Sequence, residues 1–411
     1  MQSSVISSMR VTRFPATPPL EQAVANHERA RDSRLRVALI TETYPPEING
    51  VANTLQRYEQ GLLEAGHRVQ IVRPCQHKDD RARPEGARAE HLVTGIPLPM
   101  YRNMRFGFAS RSQLARLWRV HRPHALYIAT EGPLGQAALG AARLLGIPAA
   151  SGYHTQFDRY SRAYHMGWLQ APLARYLRDF HNRCDVTLVP TESLRRELMT
   201  RGFQRLQVES RGVDTQLFNP ERRDSELRRA WGLAEGELAM IYVGRIAQEK
   251  NIDLLIRSYH HARAALPQLR LIIVGSGPGE SRLRQLHPDV IFRGAQRGEL
   301  LAAHYASADL FVFPSESETY GNVVAEALAS GLPVVGYDYA AAAELVRDGE
   351  SGFLAPYRDA EAFLATTIEA ITARAQWQRM GQHGRGVAQT RAWPAIQREF
   401  IELLQSLATS G

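Results

Sequence analysis

At 411 residues, 44% hydrophobic and 22% charged, the chain has the composition of a globular protein and the length of about two domains. Its two cysteines, Cys75 and Cys184, exclude a disulfide framework and a structural zinc site and fit a reducing cytosol, and no apolar run approaches the ~20 residues of a membrane-spanning helix. A net charge of +8 admits nucleic acid, an anionic membrane or anionic small molecules, but no helix-turn-helix or zinc-finger pattern accompanies it, so nucleic acid is not expected.

Residues 1–34 carry Pro, Ser and Arg without the apolar centre of a secretory signal; they read as a flexible lead, with Met9 as an alternative start. Predicted strands follow at Arg36–Ile40, Arg68–Val72, Ala125–Ile128, Pro148–Ser151, Val186–Val189, Leu238–Val243, Arg270–Val274, Leu310–Phe313 and Pro333–Gly336. Predicted helices lie between or after them at Gly50–Ala65, Leu134–Leu145, Ile252–Ala265, Glu299–Ala306, Asn322–Ser330, Glu361–Ala373 and Trp393–Leu407. Strand then helix, repeated, describes parallel α/β structure. Two such halves are visible, 35–210 and 211–390, with residues 391–411 as a terminal helix. The joint Arg211-Gly212-Val213-Asp214 is a candidate hinge.

The stretch Pro314 to Val335, PSESETYGNVVAEALASGLPVV, carries the most chemistry. Glu318 falls in a loop, Tyr320-Gly321-Asn322 marks a turn, and Glu326 comes eight residues after Glu318 on the next helix. A helix start offers unpaired N–H groups and partial positive charge, which suit a diphosphate. Two carboxylates beside it suit hydroxyls. An anion and a polyol held together describe a nucleotide-sugar. In VGRIAQEKN, Gly244 lets the chain turn after a strand, and Arg245 and Lys250 could clamp a diphosphate or stay solvated with Glu249 as ion-pair partner. Lys250 is one of only two lysines, with Lys78, among 50 basic residues. Gly50, at the start of a helix, has no Cβ and lets backbone approach a ligand.

This pattern resembles the retaining glycosyltransferases of family 4, which have the GT-B fold. The likeness also covers VALITETYPPEINGVANTLQRYEQGLLEAGHRV (37–69), SGYHTQFDRY (151–160), RGVDTQLFNP (211–220) and YVGRIAQEKNIDLLI (242–256), in the family's order. It implies two Rossmann-like domains facing a cleft, with the last helix crossing back to the first domain. It implies catalytic roles for His154, Arg245, Lys250 and Glu318. His154 would lie under the transferred sugar and Glu318 near its reacting carbon. Glu326 would hold the ribose. Gly50, Gly244, Gly275, Gly277, Tyr320, Gly321, Asn322 and Val323 would border the donor. Where the family usually has Gly-Gly-Val, this chain has Asn49-Gly50-Val51. No metal or other cofactor is expected, since cations and a helix start take the metal's place in such enzymes. GSGPGE (275–280) lacks the third glycine of a dinucleotide fingerprint, because position 280 is Glu. The base is expected near FRGAQ (292–296).

The expected partners are a nucleotide-sugar donor, UDP-glucose or GDP-mannose by analogy, and a lipid or sugar acceptor. LPMYRNMRFGF (98–108) and the segment Arg159–His181 mix basic and aromatic residues, which suits an anionic membrane surface. The enzyme is therefore expected in the cytoplasm, at the inner face of the membrane. A soluble or polysaccharide acceptor, a nucleotide-sugar 2-epimerase and a non-catalytic nucleotide-sugar-binding protein are the alternatives.

Overall fold

The computed structural model describes residues 34–45, 47, 49–77, 79–83, 85–98, 101–154 and 170–410. The first half holds β1 (Arg36–Ile40), α1 (Gly50–Glu64), β2 (Arg68–Pro74), β3 (Arg88–Leu98), β4 (Tyr101–Phe108), α2 (Arg111–Val120), β5 (Ala125–Ile128), α3 (Pro133–Leu145), β6 (Ala149–Gly152), α4 (Gln170–His181), β7 (Val186–Val189), α5 (Glu192–Thr200) and β8 (Leu206–Val208). The second holds α6 (Ser225–Ala230), β9 (Leu238–Val243), α7 (Ile252–Ala265), β10 (Leu269–Val274), α8 (Glu280–Leu286), β11 (Ile291–Gly294), α9 (Gly298–Ser307), β12 (Leu310–Phe313), α10 (Asn322–Ala329), β13 (Val334–Tyr337), α11 (Ala340–Leu345), β14 (Gly352–Ala355), α12 (Ala360–Thr372) and α13 (Trp377–Thr390). A last helix, α14, spans Trp393–Ser410.

Among the described residues, eight strands form one sheet in the order β4-β3-β2-β1-β5-β6-β7-β8, and six form another in the order β11-β10-β9-β12-β13-β14. All pairings are parallel except β3 with β4. Parallel strands buried on both faces read as near-continuous apolar runs. That is why LAMIYV, LRLIIV and LFVF were recognisable as strands.

The β3–β4 hairpin is a feature the sequence reading did not place as strands. Its alternation is broken by Gly95, Pro97 and Gly107, so the period of two is hard to read. A Cβ on Gly107 would stand 3.0 Å from Leu134, a tight contact. FRG, near which the base is expected, forms the end of β11.

The chain crosses between the halves twice, and the two crossings pair. Val213 N donates to the Arg391 carbonyl at 3.0 Å, and Trp393 N donates to the Val213 carbonyl at 3.3 Å. Gly212 has to be glycine because a Cβ would enter the indole ring of Trp393. Beyond this point α14 returns to the first half. Its Ile396, Phe400, Leu403 and Leu404 repeat at helical spacing and join Leu39, Leu55, Tyr58 and Tyr127 in one buried cluster. The C-terminus thus completes the N-terminal core. Arg57 on α1 ion-pairs with Asp214 at 2.9 Å, a further tie across the joint.

Candidate active site

The second sheet reverses its strand order between β9 and β12, and ligands of open parallel sheets settle beyond the carboxyl ends at such a reversal. After β9 the chain turns at Gly244 and enters a 3-10 turn, Gln248–Lys250, closed by Asn251 with φ 53°. This aims Lys250 at the loop after β12. Its Nζ ion-pairs with Glu318 Oε1 and donates to the Ser317 carbonyl at 3.0 Å. Ser315 Oγ donates to the same Glu318 oxygen at 2.9 Å, and Tyr339 Oη donates to the Glu318 carbonyl at 2.9 Å. The lysine and the carboxylate, 68 residues apart, are therefore brought together and half-buried.

Gly321 caps α10 at φ 100°, a left-handed conformation that favours glycine. A Cβ there would lie 3.5 Å from Glu318 Cγ, so the helix start abuts the carboxylate. No hydrogen bond among the described residues engages the amides of Asn322 or Val323. Those N–H groups are orphans of helix geometry. Further along α10, Glu326 Oε2 accepts from Tyr305 Oη at 2.9 Å. Burial pushes the Glu326 carboxyl up to about 7, against the lowering effect of that hydrogen bond.

Four of the expected residues, Arg245, Gly275, Gly277 and Tyr320, make other contacts in the structure. Arg245 points outward, 63% exposed, and pairs with Glu249 at 3.5 Å, so in this arrangement it does not join Lys250 and Glu318. Gly275 and Gly277 make room for backbone: a Cβ on either would collide with the carbonyl of Gly244 or Ile246. They let the loop after β10 pack under the turn that carries Lys250. Tyr320 is buried, and its hydroxyl bonds Ser210 Oγ at 3.1 Å and the Arg211 carbonyl at 3.3 Å, which ties the start of α10 to the joint.

The first half faces this site with the carboxyl ends of its own strands. His154 follows β6, and its Nε2 lies 2.7 Å from Tyr127 Oη. Gly152 has to be bare, since a Cβ would strike both groups. Burial, then the charges of Arg211 and His181, push the His154 imidazole down to about 3, so it is neutral at any physiological pH. The bareness of Gly50 serves a side chain: a Cβ there would stand 2.9 Å from Arg211 Nη1. Asn49 caps α1 itself, accepting from Val51 N at 3.1 Å and Ala52 N at 2.9 Å.

Residues 48–217 match the family described as Glycosyltransferase Family 4, and residues 237–373 match Glycosyl transferases group 1. A GDP-mannose-dependent alpha-mannosyltransferase of Mycolicibacterium smegmatis is 33% identical over 371 residues, which is 89% of this chain and 96% of that protein. The chain belongs to glycosyltransferase family 4. An alpha-monoglucosyldiacylglycerol synthase of Streptococcus pneumoniae is 28% identical to this glycosyltransferase, over 82% of this chain and 79% of its own. Among solved structures, sucrose-phosphate synthase from Thermosynechococcus elongatus superimposes with a TM-score of 0.72 at 20% identity, covering 92% of this chain and all of that one, which shows the shared GT-B fold.

Several residues of this glycosyltransferase's cleft escaped the sequence reading. Tyr127, Tyr305 and Ser315 meet His154, Glu326 and Glu318 only in three dimensions. Arg211 was seen as part of a hinge, and nothing local marks its side chain as a cleft residue. Residues 159–169, about half of the second basic and aromatic segment, lie outside the described residues. The remainder is α4, where Pro172 sits in the first turn and so breaks no helical bond. Among the described residues no group of three or more His, Cys, Asp or Glu is arranged to hold a metal ion, and no helix is long and apolar enough to cross a membrane.

Proposed function

We propose that this glycosyltransferase moves a hexose, with retention at the anomeric carbon, from a nucleoside-diphosphate sugar to a hydroxyl of a membrane lipid. GDP-mannose is the favoured donor, since the mycolicibacterial relative is described as GDP-mannose-dependent. UDP-glucose is the second. The observation that carries the reading is Lys250 beside Glu318, next to the free amides that open α10.

In the reaction the bond from the anomeric carbon to phosphate oxygen breaks. The acceptor oxygen bonds the same carbon from the same face, and the acceptor proton passes to the departing phosphate oxygen. Negative charge grows on the diphosphate. Lys250 and the amides of Asn322 and Val323 stabilise it in a water-poor cleft, where such groups act strongly. Arg245 joins them by swinging from Glu249. Glu318 and the neutral His154 take sugar hydroxyls, and Glu326 takes the ribose. No divalent ion has a part in this scheme.

The lipid acceptor draws support from the diacylglycerol-linked name of the streptococcal relative. It also draws on the β3–β4 hairpin. Ile96 pairs across the hairpin with Phe106, and Phe108 lies two residues further on the same face. All three are exposed, at 50%, 38% and 42%. Three exposed apolar side chains on one face of a sheet edge suit contact with lipid.

The test is transfer of label from GDP-mannose and UDP-glucose to a membrane lipid extract, with and without EDTA. Label is expected in the organic phase, equally in both. Label confined to water-soluble product would sink the lipid acceptor, and loss of transfer in EDTA would sink the metal-free scheme.

Glu326 adds a pH dependence. A carboxylate accepts two ribose hydroxyls only when ionised, and its value near 7 means that it gains a proton as pH falls through that point. Nucleotide affinity is therefore expected to weaken by about 10-fold for each pH unit below 7, the slope of one proton taken up. Glu326→Gln should flatten the profile. Calorimetry at pH 5.5 to 8 decides, and an equally sloped profile in the variant removes Glu326 from the ribose.

A further inference from the structure

We propose that Arg211 is an additional basic ligand of the donor diphosphate, delivered into the cleft by the segment that joins the two halves. This rests on the reading that a nucleoside-diphosphate sugar occupies the cleft.

Arg211 comes two residues after Glu209, where the chain leaves the first sheet. Its carbonyl is held by Tyr320 Oη at 3.3 Å, one residue before the glycine that opens α10. Its guanidinium turns the other way, toward the first half. There it lines a cavity with Thr54, Tyr127, His154 and Glu209, and its Nη1 lies against Gly50 at the start of α1. The side chain therefore spans the gap between the start of α10 and the start of α1.

Among the described residues no carboxylate pairs with it directly, although the Glu318 charge is felt there. Among the described residues the Arg211 side chain makes no ion pair and no hydrogen bond, and its Nε is buried without an acceptor. Glu209, 5% exposed, has an orphaned Oε1 of its own and forms no ion pair with Arg211. Burial and then the charge of Glu399 push the Glu209 carboxyl up to about 8, which leaves it protonated at neutral pH. A desolvated guanidinium without a directly paired counter-charge is costly. A phosphate would supply that charge, and it matches the planar fork of arginine. The start of α1 offers little competition. Asn49 has already taken its Val51 and Ala52 amides, and Arg211 adds a charged donor on that side. Gly50 belongs to the same device, because a methyl group there would displace Nη1.

The experiment uses the full chain, with Arg211→Gln, Gly50→Ala and the double variant, and calorimetry with GDP and UDP. For whichever nucleotide the wild type binds, Arg211→Gln is expected to weaken affinity by about 10-fold to 100-fold, the loss of one charge-assisted bond. Gly50→Ala should weaken it by a similar factor, and the double variant should be no weaker than Arg211→Gln alone. Independent, additive losses would mean that Gly50 serves the ligand directly and would count against the device. If Arg211→Gln lowers the melting temperature, Arg211→Lys replaces it, keeping the charge and losing the fork. Wild-type nucleotide affinity in these arginine variants, or a loss seen only in the KM for acceptor, overturns the proposal. A wild type that binds neither nucleotide overturns the donor reading itself, and the role of Arg211 with it.

Discussion

Lys250→Ala is expected to lower turnover at saturating donor by on the order of 100-fold or more, the scale of losing one preorganised charge-stabilising group. The ammonium sits where β9 and β12 diverge, bonded to Glu318 and the Ser317 carbonyl. Its charge is most useful as negative charge grows on the leaving diphosphate, so kcat should fall more than donor affinity. Among the described residues the variant also leaves Glu318 with Ser315 as its remaining side-chain donor. Lys250→Arg is expected to rescue little, because a planar fork does not reproduce a compact ammonium among Ser315, Ser317 and Glu318. Single-turnover kinetics separate chemistry from binding. Near wild-type turnover in the alanine variant would falsify the assignment.

Phe400→Ala is expected to destabilise the first half by about 3–5 kcal/mol, the usual cost of truncating a buried phenylalanine. The ring is fully buried, stacked on Tyr58 at 3.9 Å and edge-on to Tyr127 at 5.0 Å. Tyr127 in turn holds His154, so the loss should reach the cleft as well as the core. Denaturant unfolding monitored by near-UV and far-UV signals gives the stability change. A loss under about 1 kcal/mol would mean that α14 lies on the first half without completing it.

Much of the arrangement was legible because parallel strands announce themselves. Leu238–Val243 and Leu310–Phe313 coincide with β9 and β12, and the helices after them began within a residue or two of prediction. The β3–β4 hairpin was not legible, since glycine and proline interrupt its alternation. Among the expected site residues, motif and spacing singled out Lys250 and Glu318, and the fold puts them in contact. Arg245 is less readable from sequence. Its position after β9 was right, but its side chain follows Glu249 into solvent. Gly50 was noticed for its missing Cβ, and the neighbour that needs the space, Arg211, is 161 residues away in sequence.

The sequence by itself determined the alternation of strand and helix, the two halves, and the helix start flanked by acid and base. Those are properties of local apolar period, turn residues and spacing. Tertiary structure alone decided that α14 finishes the opposite core, that Tyr127 meets His154, and that the Arg211 guanidinium lies against the start of α1. The reason is physical: burial and charge pairing depend on what surrounds a group in space, and along this chain those surroundings come from residues far away in sequence.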